Sequence, residues 1–244
     1  MKAEYVELLP APLKDLVRDT EEYIGFPIDV VVAPERARGM PDGSSPLACE
    51  VEKDAARLLI PSVDRFHPGA VFHELQHIRR FLVEGVPQLV DCEDYEPWTP
   101  EMGTALTRQD NALEHLVIVP RELNAFPERR VHWENVMAQV WAGIEAGEGC
   151  DMDRRQAGLA CWAFLLLVMP DSPTVDVARR VLAGMGAIER AEQFYEALFP
   201  VLSDKATAVR VWFEHLGAPL EMASLKYFVP RELRSWEVPL LERA

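Results

Sequence analysis

Basic side chains are scarce in this chain: 25 Lys and Arg stand against 40 Asp and Glu, a formal net charge of −15. Contacts to phosphate need a basic surface, so nucleic acid is excluded as a routine partner. Cysteine is equally sparse. Cys49, Cys92, Cys150 and Cys161 lie far apart and form no CxxC pair, which excludes a zinc ribbon and argues against a disulfide framework. Free thiols in a reducing compartment are the expectation, and with them a cytoplasmic setting. Long apolar runs are missing too. The best stretch, 163–169 with its flanks, falls short of the ~20 residues of a membrane helix. The first seven residues carry two acids and are followed by prolines, unlike the basic start of a secretory signal. What is left is an ordinary globular composition, 49% hydrophobic and 27% charged. Its 244 residues allow one large domain or two small ones.

Apolar periodicity predicts a helix over 12–23, with Leu13, Leu16, Val17 and Tyr23 on one face, stopped by Gly25 and Pro27. The β-branched run 28–32 reads as a strand. Residues 35–46 are dense in Gly, Pro and Ser and read as loop. Segments 47–52 and 55–60 form a hairpin about Lys53-Asp54, ended by Pro61. A helix follows from Pro68, which suits its first turn, to Gly85 and Pro87. An acidic connection over 85–100 leads to a helix over 101–119, which Pro120 is expected to stop. Further helices are expected over 128–146, 154–168, 174–185, 188–198 and 204–216, with a short one near the end. Gly147-Glu148-Gly149 is the expected junction between a core, 1–146, and a helical region, 150–244, packed on it or separate. The pentapeptide Val-Pro-Arg-Glu-Leu occurs at 119–123 and 229–233; a Pro ahead of Arg-Glu-Leu is a good helix start, and the repetition reads as coincidence.

The chemistry sits in His73-Glu74-Leu75-Gln76-His77. On a helix, positions i and i+4 share a face with Cβ atoms about 5–6 Å apart. Two such imidazoles converge on one Zn²⁺ at roughly 2.0–2.1 Å each. Glu74, one step round the helix, is placed to act as general base toward a water on the ion. Given this composition, an HExxH has a chance count on the order of 0.01–0.02. Its surroundings are apolar (Ala70, Val71, Phe72, Leu75, Ile78, Phe81, Leu82, Val83), so unpaired ionisable groups there would be costly and a metal resolves the cost. Arg79 and Arg80 must then point away.

A catalytic zinc needs a third protein ligand. Arg80 and Val83 stand where a metzincin would carry Gly and His, which excludes that ligation. Cys92, Glu93, Asp94 and Glu96 are loop candidates. In 111–120, Glu114 and His115 are the polar pair of an apolar helical run. A buried carboxylate there needs a reason, and a zinc ion supplies one as part of a His₂Glu set. Glu114 is the leading third ligand, with His115 behind it. Asp110 and Asn111, one turn earlier, are candidates to orient a ligand. His115, if not a ligand, is a candidate to stabilise an oxyanion, with Tyr95 as a rival. His67, His132 and His215 fit no metal pattern.

On His73-Glu74-x-x-His77 followed by Glu114, and on the order helix, strands, hairpin and motif helix, the chain resembles the zincin metallopeptidases of the gluzincin branch. It is similar to the compact minigluzincins and more faintly to ImmA/IrrE-type peptidases, over roughly residues 10 to 146. The resemblance implies an α+β, predominantly helical fold: a zincin-like core with a small N-terminal sheet over the motif helix, then a helical C-terminal half. It implies His73, His77 and Glu114 as ligands of one catalytic Zn²⁺, with Glu74 as base. The residues between Asn111 and His115 fit no single gluzincin pattern, and the resemblance does not extend to the helical half after Gly149.

The expected function is zinc-dependent hydrolysis of peptide bonds in a peptide or protein substrate, with no nucleic-acid or membrane partner and no oligomeric state implied. A zinc-binding regulatory or interaction protein is the alternative from another class, and a hydrolase of non-peptide substrates is a third. Glu74 favours the enzyme, because a structural site closes all four positions and has no use for a base.

Overall fold

The computed structural model describes residues 1–37, 47–92, 95–96, 98–149 and 151–241. The architecture is α+β and mostly helical, with two three-stranded sheets. Cα proximity divides the chain into two units: Met1–Val90 with Ser224–Val238, and Asp91–Ala223 with Pro239–Ala244. The expected junction at 147–149 falls inside the second unit, between two of its helices.

In the first unit a short helix α1 (Ala3–Val6) precedes α2 (Ala11–Ile24). Helix α2 buries Leu13, Val17, Thr20 and Ile24 and ends on Gly25, whose φ of 85° is the left-handed conformation glycine adopts without a Cβ penalty. Strands β1 (Ile28–Val32), β2 (Ala48–Glu52) and β3 (Ala55–Ile60) form one sheet in the order β1-β3-β2. β1 runs parallel to β3 with Ile28 opposite Ala56, and β2 runs antiparallel with Glu52 opposite Ala55 across the Lys53-Asp54 turn. In β3, Ala56, Leu58 and Ile60 alternate inward, as a strand with one buried face requires. Helix α3 (Pro68–Leu82) packs on β2, β3 and α2, with Pro68 in its first turn.

The structure contains a second sheet beyond the one the sequence predicts. The connection expected over 85–100 contains strand β4 (Gln88–Asp91), and the chain's end supplies β5 (Ala223–Val229) and β6 (Arg234–Pro239), in the order β4-β5-β6. The short terminal helix is therefore replaced by a hairpin preceded by a 3-10 turn at Leu220–Met222 and connected through another at Pro230–Glu232. Strand pairing between residues more than 130 positions apart leaves no local trace in so short a segment as β4.

The second unit consists of helices α4 (Pro100–Ala125), α5 (Arg130–Ala146), α6 (Asp151–Val168), α7 (Thr174–Gly184), α8 (Ile188–Leu198) and α9 (Lys205–Leu216). Helix α6 is central, touching α4, α5, α7 and α8. Trp141, Trp162, Phe194, Trp212 and Phe213 fill the core. Pro120 does not stop α4; the helix runs through it to Ala125. Its ring is exposed, and the buried Leu113, Leu116, Ile118, Val119 and Glu122 hold the helix on both sides, so packing outweighs the lost i→i−4 bond. Among the described residues no helix is long and apolar enough to cross a membrane.

Candidate metal centre

Helix α3 presents the two histidines as the i, i+4 spacing demands. His73 and His77 are both buried, 6% and 5% exposed, and their Nε2 atoms stand 3.3 Å apart. The rings meet edge to face, with centroids 5.1 Å apart and an interplanar angle of 69°. Two nitrogens on one tetrahedral zinc, each at roughly 2.0–2.1 Å, are themselves about 3.3 Å apart. The pair therefore fits a zinc ion. A cation between the two facing Nε2 atoms is accommodated when each ring is neutral and turns its Nε2 lone pair inward. Glu74 is half-buried beside them.

The rest of α3 keeps competing charges occupied. Arg79 donates to Thr20 Oγ1 of α2 at 2.8 Å, and the buried Arg80 pairs with Glu84 at 3.6 Å. Both guanidinium groups thus have a polar partner of their own. Phe81 lies one turn past His77, ring centroids 6.4 Å apart, on the same buried face.

The candidates on α4 belong to the helical unit. Glu114 is fully buried and Asp110 nearly so, on one face one turn apart. Both carboxylates receive the ammonium of Lys205, the first residue of α9: Nζ lies 2.5 Å from Glu114 and 2.7 Å from Asp110. Burial alone lowers a lysine's pKa, but the charges and hydrogen bonds of Asp110 and Glu114 outweigh it and hold Lys205 above its ordinary value. The inference that a carboxylate stranded in an apolar run calls for a metal no longer follows, because a lysine supplies the counter-charge. The sequence did carry a signal for it. Lys205 heads the stripe Ala208, Val209 and Trp212, so its side chain falls on the buried face of α9.

His115 is half-buried, and its ring meets Trp133 of α5 edge to face at 5.1 Å. Trp133 in turn donates from Nε1 to the buried Glu122 at 3.0 Å. Asn111 is exposed. Cys92 is buried and its backbone N–H donates to Met222, Tyr95 is half-buried, and Glu96 is exposed. Glu93 and Asp94, two of the loop candidates, lie outside the described residues, as does Cys150. His67 is exposed; His132 rests its ring against Trp133 and His215 against Phe194.

Comparison with models of protein families, with curated proteins and with solved structures finds no match to this chain. His73, Glu74 and His77 form one set in the first unit, and Asp110, Glu114 and Lys205 form another in the second. The first offers two imidazole nitrogens that could hold a metal ion; the second is a charge-neutralising contact between α4 and α9.

Proposed function

We propose that this chain is a zinc-dependent metallopeptidase whose metal is held by His73 and His77 and whose general base is Glu74. The observation that carries the proposal is the 3.3 Å separation of two buried Nε2 atoms on a helix that also bears Glu74. When bound, zinc supplies a Lewis acid that brings the pKa of water toward neutrality and polarises a carbonyl. Glu74 takes the proton from the attacking water and can return it to the leaving amine. The apolar body of α3, with Leu75 and Ile78 fully buried, limits access of bulk water to the imidazoles from the core side.

For the third ligand the candidates remain Glu114 and His115. Lys205 already neutralises Glu114 through Oε1, which makes His115 the better-suited donor of the two.

The test measures bound zinc by mass spectrometry and cleavage of a mixed peptide library. Wild type and Glu74→Gln are expected to hold one zinc each, with cleavage reduced about 10²–10⁴-fold in the variant. His73→Ala and His77→Ala are expected to lose the metal. His115→Ala is expected to weaken zinc retention more than Glu114→Gln. Wild type purified without chelators and free of zinc would refute the metal reading. Zinc in both proteins with cleavage by neither would instead support a zinc-binding interaction protein.

A further inference from the structure

Strand β6 is the outer strand of the second sheet, and every residue of it is exposed except the half-buried Ser235. Trp236 is 41% exposed and Val238 40%. Two contacts fix its register on β5. Leu240 donates its backbone N–H to Ala223, and the rings of Tyr227 and Trp236 stack at 5.3 Å and 10°. Both fit one antiparallel alignment, Ala223 opposite Leu240 and Tyr227 opposite Trp236. In that alignment the even-numbered residues of β6 turn their backbone groups toward β5, while Ser235 and Glu237 turn theirs outward.

We propose that this outward edge pairs with the same edge of a second copy of the chain, joining two three-stranded sheets across a two-fold axis at Trp236. The antiparallel pairing that joins Ser235 of one copy to Glu237 of the other uses all four outward N–H and C=O pairs of these two residues. Trp236 then faces Trp236 in the closer, non-hydrogen-bonded position, where aromatic pairs add to sheet stability. Arg234 faces Val238 and Glu237 faces Ser235, so no like charges stand opposite each other. The charge balance of the segment points the same way. Residues 230–240 contain Arg231, Arg234, Glu232 and Glu237, a net charge of zero in a chain that carries −15. Two copies that repel over most of their surface meet no added local repulsion from this segment.

The ends of the strand limit the contact to one register. Leu233 has a φ of 49° and turns the chain out of the sheet at one end, and Pro239 has no N–H to extend the ladder at the other. An open-ended edge invites stacking of many chains, whereas this one closes after a single partner. So small an interface implies association in the micromolar range.

Sedimentation velocity on the full chain from about 1 to 200 µM tests the proposal, since a two-fold contact makes the dimer fraction concentration-dependent. Wild type is expected to pass from monomer to dimer over this range. Ser235→Pro removes an outward N–H and none that faces β5, and it should weaken the dimer at least tenfold while circular dichroism stays that of wild type. Trp236→Cys places two Cα atoms about 4.5 Å apart across the axis, close enough for a disulfide. Mild oxidation should convert it to a covalent dimer, while wild type with its own four cysteines stays monomeric on a non-reducing gel. A chain that is monomeric throughout the range, or a dimer that Ser235→Pro leaves unchanged, overturns the proposal. Failure of Trp236→Cys to cross-link overturns it even if Ser235→Pro proves to be misfolded.

Discussion

Lys205 decides how a single buried carboxylate is understood. Glu114 lies in an apolar run, and from the sequence a metal was the economical explanation; the folded chain answers the same electrostatic need with an ammonium from α9. Removing that ammonium leaves Asp110 and Glu114 buried without it, so Lys205→Met is expected to destabilise the protein by about 3–5 kcal/mol. Urea denaturation followed by tryptophan fluorescence measures it. A loss below about 1 kcal/mol would mean the contact is worth no more than an exposed pair. His73 and His77 were more legible, because an i, i+4 spacing is local and a helix has one geometry. Lys205 and Glu114 are 91 positions apart, and no local pattern connects them.

Elements with strong local punctuation follow the sequence closely. The strand at Ile28–Val32, the two-residue turn at Lys53-Asp54 and the helix start at Pro68 all match. The exceptions are elements that tertiary contacts define. Val-Pro-Arg-Glu-Leu shows this within one chain: at 119–123 it lies inside α4, whereas at 229–233 it ends β5, makes a 3-10 turn and leaves Leu233 left-handed. In neither place does it start an α-helix, so neighbours rather than the five residues choose the conformation. Helix α9 illustrates the opposite case, a boundary set by chemistry on the spot. Asp204 caps it, accepting from the N–H groups of Ala206 and Thr207 and from the Thr207 hydroxyl. The Thr207 hydroxyl and then its backbone N–H hold the Asp204 carboxyl below its ordinary value of 3.8. A depressed folded value means the stabilisation is present above 3.8 and is lost as pH falls through the lower folded value. Asp204→Ala should cost about 1 kcal/mol at pH 7. The gap between variant and wild type should close toward pH 2, which is about two units below the ordinary carboxylate range; a gap that persists there would exclude the charged cap as its cause.

Over the whole molecule the excess of acid is the dominant long-range force. Self-repulsion within a chain of net charge −15 opposes compaction, and salt screens it. Raising sodium chloride from about 10 to 150 mM should therefore increase Tm by a few degrees, because the Debye length shrinks from about 30 to 8 Å. A fall in Tm would show that exposed ion pairs such as Arg180–Glu145 and Arg130–Asp171 contribute more than the net repulsion.

The first unit is discontinuous: it is built from Met1–Val90 and Ser224–Val238, with 91–223 in the other unit between them. A ribosome delivers these parts in order. When β4 emerges, its hydrogen-bonding partner β5 has not yet been made, and more than 130 residues must be translated before it is. At roughly 5–20 residues per second that is an interval of about 7–26 s. Throughout it, β4 lacks its β5 partner while the helices of the second unit are being made. The nascent chain is thus most exposed to misassociation at the strand it makes early and completes last.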